Sequence, residues 1–518
     1  MSKQTTKKTA PRAKNPILDY PDSLISFSAF DLKESKIKKS ETKQHGVEVH
    51  FLLAPDTDDS KKKKPSALVA EFPFFKANPS EIVKGPDHWY VGLGSEKKLT
   101  TDVLGEALRV CAKALSVSFA EVTLFLDVNI YNKIDESLCA RLLATAFETA
   151  AFNTDFLKAK PSSENVLIKK VRACAPQRGG EAGRKFWEKE LQTAGLIARH
   201  MNGMRQLQSL PGNYANPEQI EGRVKMMAKK FGLKIKVFQK ADLEKMGAGG
   251  ILAVGQGSVV PPRMITLEYV PKNVKKSKKL ALVGKGVTFD TGGISLKPGS
   301  AMHEMKYDMS GAAAVIHAIC ALSELKAPVH VCAAIGLAEN MPDGRAIKPG
   351  DVYTAYNGKT VEVQNTDAEG RLVLGDVLSY VDQHFKPDTM INLATLTGAC
   401  LVALGHYYAG LFTRHPELQT ALNQASQGSG EPLWPLPIGP LYLAQLKSDI
   451  ADINNIGDRY GGSSSAASFL GEFVNEDTPW AHIDIAGTAW MKKSFNVYPS
   501  EATGFGVRLL TEFAQGFE

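Results

Sequence analysis

The chain has 518 residues, of which 43% are hydrophobic and 23% charged, with a formal net charge of +7. That balance is ordinary for a soluble globular protein with a large core. No run of roughly 18 apolar residues is present, which excludes a transmembrane helix, and no apolar segment follows the basic start as a secretory signal requires.

Lys3, Lys7, Lys8, Arg12 and Lys14 precede the first acidic residue, Asp19. Residues 1–18 therefore carry most of the net charge and are expected to form a disordered basic tail; the remainder of the chain is close to neutral. The tail lacks the amphipathic helix of a transit peptide, so the expected location is cytoplasmic, with mitochondrial or nuclear delivery through the tail as the alternative. The six cysteines (Cys111, Cys139, Cys174, Cys320, Cys332 and Cys400) include no C-x-x-C pair. They read as reduced, partly buried thiols in a reducing compartment rather than a disulfide framework. The lysine runs at 61–64 and 275–279 read as solvated loops in preference to nucleic-acid patches.

Residues 19–182 are expected to form an N-terminal α/β domain. Strand-like runs at 47–54, 122–128 and 166–171 alternate with helical stretches at 101–115 and 136–152, and no chemistry is concentrated there. The spacing predicts a long linking helix over 183–208, with Phe186, Leu191, Leu196, Ile197 and Met204 in its buried stripe. Residues 209–518 then alternate strands at 280–283, 329–337, 361–364, 390–394 and 482–485 with helices at 312–325 and 372–384. Such alternation predicts a larger α/β domain with a mixed, largely parallel sheet flanked by helices.

Chemistry-bearing residues gather in this second domain. Residues 283–297 form a glycine-dense stretch carrying Lys285, Asp290 and Lys297, expected to be a loop at the C-terminal end of a buried strand. Asp308 is expected at or just before the N-terminus of the 312–325 helix. Asp367, Glu369 and Arg371 stand two apart just past the 361–364 strand; in extended backbone they would share one side, converging two carboxylates and a guanidinium. Four carboxylates fit two divalent ions about 3.5–4 Å apart. A lysine beside such cations has its pKa lowered and becomes a nitrogen ligand, whereas a protonated one stabilises a developing oxyanion. Residue chemistry alone leaves open which of Lys285 and Lys297 does which.

The segments 283–297, 305–311 and 365–372 resemble the signature of the leucyl aminopeptidases, cytosolic dinuclear-zinc exopeptidases. The likeness extends through 205–213 with Pro217, 250–257, 338–342, 394–398, 446–449 and 482–487, and covers about residues 185–518. The resemblance implies a tightly held metal bound by Lys285, Asp290, Asp308 and Glu369. It implies a second, exchangeable metal on Asp290, Asp367 and Glu369, with the Asp367 carbonyl contributing. Zinc is implied, with manganese, cobalt or magnesium as alternatives at the exchangeable site. Arg371 is expected to hold a bicarbonate general base and Lys297 to polarise the substrate carbonyl. A pocket for the first side chain is implied at Met305, Thr395, Gly398, Ala486 and Ala489, where the small Ala489 suggests room for Leu, Met or larger residues. The implied substrates are peptides with a free N-terminus, and the implied assembly is a homohexamer built as a dimer of trimers. Thr291 stands where many members have serine, a departure expected to leave activity intact.

Rival motifs fail. Residues 303–307 lack the second histidine of a zincin helix, residues 284–286 lack the flanking residues of a phosphate loop, and residues 462–466, expected to be a loop, fall one glycine short of a nucleophile elbow. The remaining alternative to a metallo-aminopeptidase is a binding or scaffold protein that contacts nucleic acid through its lysine runs, with catalysis secondary.

Overall fold

The computed structural model describes residues 25–30, 46–54, 74–85, 88–159, 168–174, 180–272, 274 and 277–517. The basic tail, the 61–64 run and part of the 275–279 run lie outside the described residues.

Six strands form the first sheet: β1 (Ser26–Phe30), β2 (Gly46–Ala54), β3 (Ile82–Lys84), β4 (His88–Ser95), β5 (Glu121–Leu126) and β6 (Lys170–Cys174), in the order β1-β6-β5-β2-β4-β3. All neighbours are parallel except the β3 edge. Val47, Val49 and Phe51 of β2 alternate with Glu48 and His50, so the apolar set faces the core while Glu48 and His50 lie on the opposite face. The helix Thr101–Ser116 is capped by the Thr100 hydroxyl, which accepts from Val103 N at 3.3 Å, and buries Leu104, Leu108, Cys111 and Leu115 along one stripe. Asp135 caps the helix Glu136–Ala150 in the same way. The strand expected at 122–128 stops at Leu126 because Asp127 caps a short 3₁₀ turn, Val128–Asn132. The strand expected at 166–171 runs instead over Lys170–Cys174, and residues 166–167 lie outside the described set.

The linking helix spans Gly180–Ser209, 30 residues, about 45 Å long. Its stripe starts one residue later than expected. Phe186 is 44% exposed, whereas Trp187, Leu191, Met201 and Met204 are fully buried and Leu196 is half-buried. Near its C-terminus the buried Arg205 donates to Thr149 O at 3.1 Å and Ala502 O at 3.0 Å, and its guanidinium lies 4.3 Å from the Phe152 ring. One hydrophobic core runs from Val49, Leu108 and Leu142 through Leu191 and Met201 to Ile316 and Leu510, so the helix is shared by both halves of the molecule.

The second sheet comprises β7 (Lys234–Phe238), β8 (Arg263–Tyr269), β9 (Lys279–Asp290), β10 (His330–Asn340), β13 (Thr389–Ala394), β14 (Ala409–Thr413), β15 (Leu433–Pro435) and β17 (Trp480–Asp484), ordered β15-β14-β17-β13-β9-β10-β8-β7. A small sheet of β11 (Val352–Thr354), β12 (Thr360–Glu362) and β16 (Ile453–Asn454) lies beside it. The central four, β17-β13-β9-β10, are parallel and flanked by antiparallel neighbours, and their two-sided burial explains the near-continuous apolar runs. The fold is thus the mixed, largely parallel α/β arrangement expected.

Two expectations need correction. The strand expected at 280–283 continues to Asp290, so the first half of the glycine-dense stretch is strand rather than loop. Its glycines are there for close approach: a Cβ on Gly284 would lie 2.5 Å from Ala312 Cα and Gly311 O, in the helix Ser310–Glu324 that packs on β9. Residues 462–466 belong to a helix, Gly462–Gly471, not a loop; Gly461 enters it in the left-handed conformation and Ser465 Oγ donates back to Gly462 O. All six cysteines are buried, and no helix among the described residues is long and apolar enough to cross a membrane.

Gly284→Ala is expected to destabilise the protein by about 1–3 kcal/mol through overpacking. A urea unfolding series would show a lowered midpoint; an unchanged midpoint would mean that helix and strand separate without cost.

Candidate metal centre

The chemistry expected from the sequence assembles at the carboxyl ends of the central parallel strands, where open α/β sheets place their sites. Lys285 lies in β9 and Asp290 ends it, opposite Asn340 at the end of β10. Asp308 falls in a 3₁₀ turn, Met302–Met309, directly before the helix Ser310–Glu324, as expected. Asp367, Glu369 and Arg371 reach the cluster by a different route from the one expected. The chain turns after β12 and enters the helix Gly370–Phe385, with Glu369 as its N-cap in helical dihedrals (φ −79°, ψ −31°) and Arg371 in its first turn. Alternation along an extended strand does not bring the three residues together.

Lys285 is almost completely buried, and its Nζ stands 2.8 and 2.7 Å from the two Asp308 oxygens, 2.9 Å from Glu369 Oε1 and 2.9 Å from Thr395 O. Lys297 Nζ lies 2.8 Å from Asp290 Oδ2 and also pairs with Asp367 Oδ1; its side chain is 23% exposed. Oxygens of Asp290, Asp308 and Glu369 lie within 4.8 Å of one another. Burial, and after it the neighbouring Asp290, push Glu369 and Asp367 upward from the usual carboxylate range, and burial moves Asp308 the same way. Burial alone would lower both lysines, but the surrounding carboxylates outweigh it and hold them above the ordinary lysine value.

These residues fit divalent cations. Four carboxylates face two ammonium groups, an excess of two buried or half-buried negative charges. Glu369 Oε2 accepts no hydrogen bond, and Asp308 Oδ2, Glu369 Oε1 and Asp367 Oδ1 meet lysine ammonium groups as ion pairs. Arg371 is buried, donates from Nη1 to Asn455 O at 2.7 Å and leaves Nε without an acceptor. An unmatched buried donor of this kind suits a small anion. Burial lowers its guanidinium to about 10, against the pull of Glu369 and Asp484.

Several supporting residues had no distinct signal in the spacing. Asn340 donates to Asp290 Oδ1 at 2.8 Å and to Thr366 O at 2.9 Å, and Gly292 N donates to the same Asp290 oxygen. The Thr291 hydroxyl donates to Asn340 O at 2.7 Å, a bond that either small hydroxyl residue provides. Gly370 admits Lys285, because a Cβ there would lie 2.3 Å from Lys285 Cε. Asp484, buried and raised to about 6 by burial, accepts from Leu396 N and Ala486 N through Oδ1 and from the Thr397 hydroxyl through Oδ2. It therefore ties together the two segments that carry Thr395 and Gly398 on one side and Ala486 and Ala489 on the other. Met305 lies one turn before Asp308 in the 3₁₀ helix. Ala489 is fully buried, whereas Met305, Thr395, Gly398 and Ala486 keep some exposed surface.

Residues 202–511 match the catalytic domain of the cytosol aminopeptidase family. The chain belongs to that family. A probable cytosol aminopeptidase of Aquifex aeolicus (strain VF5) is 41% identical over 86% of this chain and 89% of its own length. Another, of Chlorobium limicola (strain DSM 245), is 39% identical over 90% of this chain and 96% of its own length. The bottromycin maturation enzyme BotP, solved in complex with Mn, superposes with a TM-score of 0.79 at 31% identity, covering 91% of this chain and 99% of that one. The protein is accordingly a metallo-aminopeptidase, a hydrolase of peptides.

Asp484→Ala should release both segments while leaving the metal-facing carboxylates in place. The expected result is a roughly tenfold loss of discrimination among first residues, seen in kcat/KM for leucine, alanine and phenylalanine amides, with metal content unchanged. Unaltered selectivity would show that Asp484 does not shape the pocket.

Proposed function

We propose that this aminopeptidase removes N-terminal leucine and similar apolar residues from peptides with two divalent cations per chain. The observation that carries the reading is the charge excess at the strand ends: four carboxylates against two lysines, with Glu369 Oε2 left without a donor. Lys285, Asp290, Asp308 and Glu369 would hold the tighter cation, and Asp290, Asp367 and Glu369, with the Asp367 carbonyl, the exchangeable one. When bound, such a pair supplies Lewis acidity and a water whose pKa is lowered toward about 7.

The two lysines divide by exposure. Lys285, only 4% exposed in its side chain, is enclosed among ligand oxygens. Cations there would cancel the carboxylate field that keeps it protonated, and desolvation would then favour the neutral amine. Lys297 reaches the solvent side of the same cluster, where an ammonium is placed to stabilise negative charge on a substrate carbonyl oxygen. Arg371 would orient a bicarbonate as general base through its unmatched Nε–H. The small side chains of Gly398, Ala486 and Ala489, with Met305 and Thr395, would leave room for leucine, methionine or larger first residues. A free N-terminal amine, zinc or manganese as the working metal, a homohexameric assembly and a cytoplasmic location belong to the same reading. So does the division into a basic tail (1–18), an N-terminal domain (19–182), a linking helix (183–208) and a catalytic domain (209–518). The relatives named above are aminopeptidases or a maturation enzyme, and they give no support to the alternative of a nucleic-acid scaffold.

Glu369→Ala and Lys297→Ala separate the roles. Glu369→Ala is expected to lose metal and activity together while circular dichroism stays unchanged. Lys297→Ala should keep both ions and lose kcat by roughly 10²–10³. Metal counting by plasma mass spectrometry decides: a two-metal, active Glu369→Ala protein refutes the ligand assignment, and equal metal loss in Lys297→Ala makes Lys297 a ligand instead.

A further inference from the structure

A second convergence of metal-ligand side chains lies on the first sheet, outside everything described above. In β2, Glu48 and His50 share the face opposite the buried Val47, Val49 and Phe51. The parallel register sets His88 of β4 directly beside Glu48. His88 Nε2 lies 3.1 Å from Glu48 Oε2, and His50 Nε2 lies 3.9 Å from that same oxygen. Donor atoms of all three residues fall within 4.8 Å of one another. The His50 ring stacks on Phe125, centroids 4.6 Å apart and planes at 6°, so its position is fixed by packing.

A histidine–carboxylate pair accounts for His88 but not for His50. At 3.9 Å its Nε2 is beyond hydrogen-bonding reach of Glu48. His50 therefore turns a ring nitrogen toward a carboxylate without bonding to it, and imidazole nitrogens are among the commonest metal ligands. Ligands at about 2.0–2.2 Å around a four-coordinate zinc are separated by roughly 3.3 Å. The observed 3.1 and 3.9 Å bracket that spacing, and the side chains of Glu48 and His88, 39% and 49% exposed, have freedom to close the difference.

We propose that Glu48, His50 and His88 form a third metal site, taking one borderline divalent ion such as zinc, copper or nickel, with water completing the coordination. Two imidazoles and one carboxylate select these ions over magnesium or calcium, which favour all-oxygen sites. The ion bridges β2 and β4. The site stands apart from the strand-end centre and does not depend on the catalytic reading of it.

The test is equilibrium dialysis of the full-length protein against micromolar free zinc, with zinc per chain counted by plasma mass spectrometry. The wild type, a His50→Ala/His88→Ala double variant, Glu369→Ala and the triple variant are compared. The double variant should bind one ion fewer per chain than the wild type and hydrolyse a leucine amide equally well. The same one-ion difference should separate Glu369→Ala from the triple variant, so this result is read independently of the strand-end centre. Dialysis against magnesium should abolish the difference. Equal zinc counts for the wild type and the double variant, the latter shown folded by its retained activity, would overturn the proposal. His88→Gln alone provides a milder second variant, with a weakened third ion expected and an unchanged count contradicting the site.

Discussion

Lys285 and Lys297 each bridge acidic groups at the ends of parallel strands, and together they leave two negative charges uncompensated. Uncompensated buried charge is among the most costly features a fold can carry, so the surroundings must either neutralise it or bind cations. The protein does part of this from its own chain. Asn340, Gly292 N and the Thr395 hydroxyl donate to Asp290 and Asp308, while Glu369 Oε2 remains without a donor. That residual imbalance is the feature on which our proposal of a cation site rests.

The arrangement depends on close packing beneath the centre. Gly284, Gly311 and Gly370 let strand β9 and its neighbouring helices approach until Lys285 passes directly beside the helix Gly370–Phe385. Asp308 and Glu369 stand immediately before helices, so their positions are set by those helix starts and by β9 rather than by flexible loops. The Gly180–Ser209 helix ties this half of the molecule to the first sheet through a shared core and through Arg205.

Much of this was legible in the sequence because apolar alternation and chemical type are local properties. The helices at 101–116 and 370–385 show their burial in spacing alone, and Asp290, Asp308, Asp367 and Glu369 are identifiable as ligand candidates because carboxylates in glycine-rich, strand-end contexts have few other uses. At residues 365–372 the backbone differs from the extended run expected, because nothing local distinguishes such a run from a turn into a helix when Glu369 caps it. Gly284 and Gly286 read as loop because their strand role depends on Ala312 and Gly336, partners distant in sequence. Asp484 and Asn455 were silent for the same reason; their hydrogen bonds reach segments about ninety residues away. The Glu48–His50–His88 group likewise emerges only when β2 and β4 are placed side by side.

In our proposal the charge excess at the strand ends is a catalytic cation site acting on free N-termini. The most direct measurement is hydrolysis of leucine 4-nitroanilide by metal-stripped protein, with zinc, manganese or cobalt restored in turn and N-acetyl-leucine 4-nitroanilide as the control. Release from the free-amine substrate alone, and only after a metal is returned, is the predicted result. Activity in stripped protein, or equal cleavage of the acetylated substrate, would contradict it.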